Sequence, residues 1–407
     1  MSKKTAISQL FTLQKKIRAV IISIILLCSN YTICNTSFPL PNEMVVLRNM
    51  DIISELCGWK EDSIPDNIML INVSYDKELV DFVKQKNDTV GKTPIIDRHK
   101  LFEFLKNAKE ANTYKYIFLD VNFEKGYISK SDSALFNLIA EMDRIVIPRH
   151  EGKYLQDDRL YSKAANSDYT VTKEETNFVR FQFIHDSIKS IPLKMYNDIN
   201  KKDIHKWGPF YFSGNWLCRN GITLKLPFTT KMFIPNLGKD ILENGNNEDF
   251  NGKIVIIGDF ENDMHDTYKG KQPGAIIIMN AYYALVQGDH ILFGKYGLTL
   301  LFYVFIALLY FFLAILYLNG KSLSSLFENA WIKVFVSIVS INILFWIIAG
   351  FAYFLGVVYN LWIPTVVFSI LDFIVNTYKN YRDEKNNKCN AVAVSANSDC
   401  ECSGSKE

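Results

Sequence analysis

The chain has 407 residues, and 45 basic against 43 acidic side chains leave a net charge of +2, which removes any electrostatic reason to expect a nucleic-acid partner. Its 49% hydrophobic and 14% aromatic content is high for a soluble protein and is concentrated towards the two ends, which points to a membrane protein.

Residues 1–18 form a basic leader carrying Lys3, Lys4, Lys15, Lys16 and Arg18. The apolar run 19–34, AVIISIILLCSNYTIC, reads as a first transmembrane helix. It is expected to stay as an anchor, since no small-x-small cleavage site follows it and Leu27 ahead of Cys28 does not suit a lipoprotein signal. Beyond it lies a polar region, 35–296. A turn-rich exit leads to a helix over Glu43–Cys57, a strand over Asn67–Tyr75 and a helix over Arg98–Glu110, with Leu101, Phe102, Phe104 and Leu105 at helical spacing. A strand follows over Tyr114–Phe123. Ser131, with Asp132 in the first turn, opens a helix to Glu141, and Arg144–Pro148 is a third strand. Strands alternating with helices argue for an α/β domain with a mostly parallel sheet, flanking helices and right-handed crossovers.

The middle of the region is less regular. Asn177–Ile184 alternates as a strand does, Asp186–Asn200 reads as helical despite Pro192, and Trp207–Asn220 reads as a loop or short strand under the sheet. Ile222–Pro227 and Met232–Pro235 are short strand candidates. The stretch Gly252–Gly288 is more definite. Ile254–Gly258 suits a strand buried on both faces. An acidic loop follows with Asp259, Glu261, Asp263 and Asp266, then Pro273-Gly274 restarts the chain and an apolar helix runs over Ala275–Val286 to Gly288.

Three further runs, 298–318, 334–357 and 361–378, approach the length needed to cross roughly 30 Å of hydrocarbon, giving a helical membrane region of four spans. The leader, the 319–333 loop with Lys321 and Lys333, and the polar tail 379–407 with Lys379, Arg382, Lys385 and Lys388 then fall on one side, which the positive charge makes cytoplasmic. The 35–296 domain accordingly lies outside the cytoplasm of a multi-pass inner-membrane protein. Seven cysteines impose no disulfide framework. Cys57 and Cys218 are the two well inside the external region, where a bridge and two separate buried thiols are both open. Asp372, in the last span, lies close enough to its end to reach the interface, and Trp346 and Trp362 suit membrane belts.

From about Met69 to about Ile291, the strand IFLDVNF with Asp120, the element IIDRHKLFEFL with Arg98, and above all GKIVIIGDFENDMHDTYKGKQPGAIIIMNAYYAL resemble the type-two CHASE domain, the sensory extracellular domain of cyclases and histidine kinases. The chain departs from that pattern in having Ile96-Asp97 before Arg98, where a tryptophan is usual, and Met279 before Asn280, where a histidine is usual. The resemblance implies one span before the domain, three after it, and Arg98 and Asn280 as candidate ligand contacts. Such domains commonly continue into a cyclase, kinase or phosphatase, whereas the 379–407 tail is too short for a core of its own, so the expected output runs through a separate signalling or membrane partner.

Asn72, Asp120, Asn122 and Asp259 fall near the carboxyl ends of the proposed strands, where parallel strands would bring them to one rim as a ligand pocket. The competing reading is that strand-end Asp and Asn cap helices and hold loops. Asp259, Glu261 and Asp263 have the alternate spacing of a calcium loop, but Met264 stands where glycine is needed and Gly270 where a bidentate glutamate is needed, so no metal is assigned. His265 beside Asp266 is placed to ligate a metal or bind a carboxylate-linked ligand, which makes the pair a candidate ligand contact, against the competing and preferred reading of a solvated loop. There is no HExxH, GxSxG or phosphate-binding glycine loop, so neither catalytic residues nor a cofactor are assigned.

The reading that follows is an extracytoplasmic sensor of a small-molecule or protein ligand that signals through its membrane helices; a homo-oligomer is compatible with it. An accessory membrane protein with a partner-binding scaffold is the alternative. A hydrolase using Asp120 and Asp259 has least support.

Overall fold

The computed structural model describes residues 3–36, 41–57, 64–84, 88–168, 180–223, 225–228, 234–243, 250–292, 297–319 and scattered positions between 343 and 385. The chain divides into two compact units, 32–299 and a second made of 1–31 with 300–407.

The first unit is built on a five-stranded sheet. Its strands are β1 (Ile68–Asn72), β2 (Tyr116–Asp120), β3 (Ile145–Arg149), β4 (Ala164–Asn166) and β5 (Ile254–Gly258), in spatial order β1-β5-β2-β3-β4. Every pairing is parallel. The strand latest in sequence therefore lies between the two earliest, and Gly258 stands level with Asn72 on one side and Asp120 on the other.

The three most regular strands, IMLIN, YIFLD and IVIIG, are apolar on both faces because both faces are covered. On one face Ile71, Ile117, Leu119, Ile147, Val255 and Ile257 join a buried core with Leu101, Phe104 and Leu105 of helix α1 (Arg98–Ala111) and Leu135 and Ile139 of helix α2 (Asp132–Glu141). The other face meets α3 (Ile191–Asn200) and α4 (Gly274–Gln287). A Tyr116 hydroxyl on that face donates to Asp198 Oδ2 of α3 at 2.5 Å. The result is a three-layer α/β unit with its sheet nearly all buried.

Several elements depart from the sequence expectation. The Asp186–Asn200 helix begins only at Ile191; Pro192 sits in its first turn, where a missing N–H costs nothing, and residues before it form a hairpin turned by Asp186 and Ser187 at φ 42° and 70°. Of the two readings of Trp207–Asn220, the short strand holds rather than the loop, but not under the sheet. It belongs to an antiparallel ribbon of Ile204–Trp207, Phe210–Ser213 and Trp216–Cys218, with Trp207 and Trp216 71% and 57% exposed. Lys77–Lys84 and Asp88–Ile96 pair as a hairpin with Tyr127–Ile128 added at its edge. The acidic loop contains a hairpin of its own, Met264–Thr267 against Gly270–Pro273. Ser131 makes no side-chain cap; Asp132 Oδ2 instead accepts from Ser129 N at 2.8 Å. Cys57 is a free, exposed thiol while Cys218 is wholly buried, so no bridge joins them.

In the second unit, two helices are long and apolar enough to cross a membrane: Leu13–Ile33, within Lys3–Cys34, and Leu300–Leu318, within Gly297–Leu318. The first starts ahead of the expected 19–34. Leu26, Phe302, Ile306, Tyr310 and Phe368 are among its buried cluster. Four spans are thus reduced to two among the described residues. The expected 334–357 span lies largely outside them, the expected 361–378 span is described in part and is helical at those positions, and Trp346, Trp362, Asp372, and Cys389, Cys400 and Cys402 of the tail lie outside them.

Candidate functional site

At the carboxyl ends of β2, β3 and β5 the chain leaves the sheet and opens a cavity of about 440 Å³, within the range of small-molecule pockets. Asp120, Val121 and Asn122 enter it after β2, Pro148 and His150 from β3, Ser167 from beyond β4, and Asp259 from beyond β5. The hairpin containing Thr93–Ile96, with Lys77, forms one wall. Asp263, His265 and the first turn of α4, with Ile277 and Ile278, form another. Polar groups and aliphatic side chains thus share the lining about equally.

Two glycines make that approach fit. A Cβ at Gly258 would lie 3.2 Å from Ala275 Cβ and 3.4 Å from Asp120 Cβ, so β5 passes this close to α4 and β2 only without a side chain. At Gly274 a Cβ would meet Asp263 Oδ2 at 2.7 Å and His265 Nε2 at 3.1 Å, the space being filled by that pair.

The charges around the cavity are mostly matched. Asp259 Oδ2 accepts from Lys77 Nζ at 3.0 Å, and Asp259 Oδ1 accepts from Asn262 N at 2.8 Å. Ser74 Oγ lies 2.5 Å from both Asp259 Oδ1 and Asn72 Oδ1, its one hydrogen serving one of them at a time. Burial alone would raise the Asp259 carboxyl, but Ser74, Asn262 and Lys77 hold it well below the usual carboxylate range. His150 Nδ1 lies 2.7 Å from Asp168 Oδ1, and that hydrogen bond raises the imidazole above its ordinary value. Asp263 Oδ1 faces His265 Nε2 at 3.1 Å.

Asp120 differs. Among the described residues its carboxyl has neither a hydrogen bond nor an ion pair. Burial, reinforced by the neighbouring Asp263, pushes it up to about 7.

Of the seven residues expected from sequence, Asp120, Asn122 and Asp259 come together at this cavity and four do not. Asn72 binds Ser74 N at 3.0 Å through Oδ1 and holds the turn after β1. Arg98 is only 2% exposed: its guanidinium lies 4.2 Å over Phe123, Nη2 donates to Asn122 O at 2.9 Å, and Asp132 Oδ1 is 3.8 Å from Nε. It positions the loop that carries Asn122, and burial lowers its guanidinium to about 10. Asp266 is exposed on its hairpin, opposite Lys271. Asn280 is buried in α4 and bonds both the N–H and the carbonyl of Phe228, at 3.2 and 3.1 Å. Lys77 and His150 were not anticipated, whereas His265, weighed with Asp266 as a contact, and Asp263 of the acidic loop do line the cavity. His150 was within reach of the same strand-end rule, since it lies two residues past the expected end of its strand.

One other group is metal-like in composition. Glu151, His185 and Asp186 bring ligand atoms within 4.8 Å of one another, with the two carboxylates exposed. Compared with protein-family models, with curated proteins and with solved structures, the chain matches none.

Proposed function

We propose that the chain is a membrane-anchored sensor of the CHASE type, whose α/β domain lies outside the cytoplasm of an inner-membrane protein with four spans and binds a ligand in the strand-end cavity. The observation that carries this reading is the cavity itself, built at the carboxyl ends of parallel strands, with an Asp120 carboxyl that has no hydrogen bond or ion pair among the described residues.

The route outward is also marked. Arg180, 3% exposed, donates from Nη1 to Ile33 O at 2.7 Å and to Thr36 O at 3.0 Å, at the end of the first apolar helix. Its strand, Arg180–Gln182, pairs with Gly221–Thr223. Just ahead of that partner, Arg219 N donates to His290 O at 2.8 Å and Leu292 N donates to Leu217 O at 3.0 Å, five residues or so before the Gly297 helix begins. The two ends of the domain are thereby tied to two antiparallel pieces that follow one another in the chain through residues 217–223. A ligand with different affinity for two arrangements of the domain would shift both exits together, biasing a separate signalling partner.

Thermal unfolding of the full-length protein in lipid nanodiscs, across a library of metabolites, cell-wall fragments and metal ions, tests the reading. A binder at a hundredfold excess over its Kd adds about 2.7 kcal/mol to the bound state. A hit that fails with Asp120→Asn supports the sensor. A flat library favours the alternative of a partner-binding scaffold, for which the exposed Trp207 and Trp216 of the antiparallel ribbon would be the contact surface.

A further inference from the structure

Resting on the sensor reading, we infer that the cavity takes an organic monocation, a primary ammonium or guanidinium group carried on an apolar body, with Asp120 as its counter-ion.

The inference starts from the balance of charge. Six titratable or charged groups face Asp120 or the groups beside it: Asp259 and Lys77, His150 and Asp168, Asp263 and His265. They pair with one another, acid to base, at 3.0, 2.7 and 3.1 Å. Asp120 is the member left over among the described residues. A ligand bringing one positive charge and N–H donors would complete the set, whereas an anion would meet the negative charges of Asp120, Asp259 and Asp263.

The rest of the lining selects the body of the ligand. Pro94, Ile95, Ile96, Val121, Ile277 and Ile278 supply an apolar wall, which a bare metal ion would not use and an alkyl or aromatic group would. The cavity's carboxylates and imidazoles also do not converge on a point. Among the described residues, Glu151, His185 and Asp186 are the trio with ligand atoms within 4.8 Å of each other, and none of them lines this cavity. The α4 N-terminus does not reverse the preference, because Asp263 already occupies the space beside Gly274.

Binding should follow the ionisation of Asp120. Its carboxyl titrates at about 7, so the ionised fraction rises roughly tenfold between pH 6 and pH 8. A cation that pairs with it gains apparent affinity by about the same factor.

The test uses full-length protein in nanodiscs and three isosteric probes, hexylamine, hexanol and hexanoate, titrated at pH 6 and pH 8 with binding read by calorimetry and thermal shift. Hexylamine is expected to bind, roughly tenfold more tightly at pH 8, and to lose that pH dependence and most of its affinity in Asp120→Asn. Asp266→Asn, on the hairpin that carries His265 but outside the cavity, is expected to leave binding unchanged. Equal binding of hexanol or hexanoate would overturn the ligand class while leaving a ligand-binding sensor in place. Binding of hexylamine that Asp120→Asn does not weaken would overturn the role of Asp120. Silence of all three probes, with folded protein confirmed by its melting transition, would overturn the inference, while a hit elsewhere in the library would keep the sensor.

Discussion

Asp120→Asn should stabilise the protein, and increasingly so as pH rises. The folded carboxyl sits at about 7 against an ordinary 3.8, burial being the main cause. Because the folded value is the higher one, the unfolded chain releases its proton first. The group therefore detracts from stability progressively as pH climbs from about 4 through about 7. At about 1.4 kcal/mol for each pH unit between the two values, the ceiling is about 4 kcal/mol. Water reaching the carboxyl through the cavity screens part of this, leaving about 2 kcal/mol at pH 8. The neutral amide keeps the shape and loses the charge. Differential scanning measurements on both proteins should show the variant melting higher by roughly 4–8 °C at pH 8 and by much less at pH 5. Comparing variant with parent at each pH cancels the other titrating groups. A variant that melts lower at pH 8 would refute the reasoning, since it would mean that the ionised carboxyl satisfies a donor in the empty protein.

Other substitutions address the supports of the site. Asp132→Ala leaves the Arg98 guanidinium buried without its counter-charge and should cost about 3 kcal/mol, while Asp132→Ala combined with Arg98→Met should recover much of it; chemical denaturation of the singles and the double measures the coupling. Gly258→Ala must push apart Ala275 and Asp120 and is expected to destabilise by about 1–3 kcal/mol and abolish ligand binding, whereas Gly252→Ala, with nothing within 4 Å of its Cβ, would carry only the strain of its positive φ and retain binding. Arg180→Ala removes both hydrogen bonds to residues 33 and 36. It should leave binding in the cavity within about twofold and weaken hydrogen-exchange protection around residues 32–36 and 180–182.

The strands of the parallel sheet were readable because burial on both faces leaves uninterrupted apolar runs, as in 68–72, 116–120 and 254–258. Helix α4 was readable from its apolar run and from Gly288, which closes it at φ 85°. The antiparallel pieces were harder. In Lys77–Lys84 the ladder shifts register between Phe82 and Val83, and Leu79 is 70% exposed, so alternation of apolar and polar residues does not mark the strand. At the site, the strand-end rule located Asp120 and Asp259 from position alone. It could not say that Asp259 would be held by Ser74 and Lys77 as well as by its loop neighbour Asn262, because Ser74 and Lys77 come from elements distant in sequence. Asp266 was misplaced for a local reason. Its stretch is a hairpin strand, and the alternation that turns His265 to the cavity sends Asp266 to solvent. Arg98 and Asn280 likewise hold backbone, Arg98 beneath the Asn122 loop and Asn280 against Phe228.

On the proposed sensor reading, occupancy of the strand-end cavity changes the distance between the two helices that are long and apolar enough to cross a membrane. Spin labels at Thr32→Cys and Leu301→Cys, both exposed positions at the ends of those helices, in a background with all seven native cysteines changed to Ser, allow that distance to be read by pulsed electron resonance in nanodiscs. With a saturating compound that binds at Asp120, the account predicts a shifted distance distribution that Arg180→Ala suppresses. An unchanged distribution at full occupancy, verified by calorimetry on the same labelled protein, would contradict it.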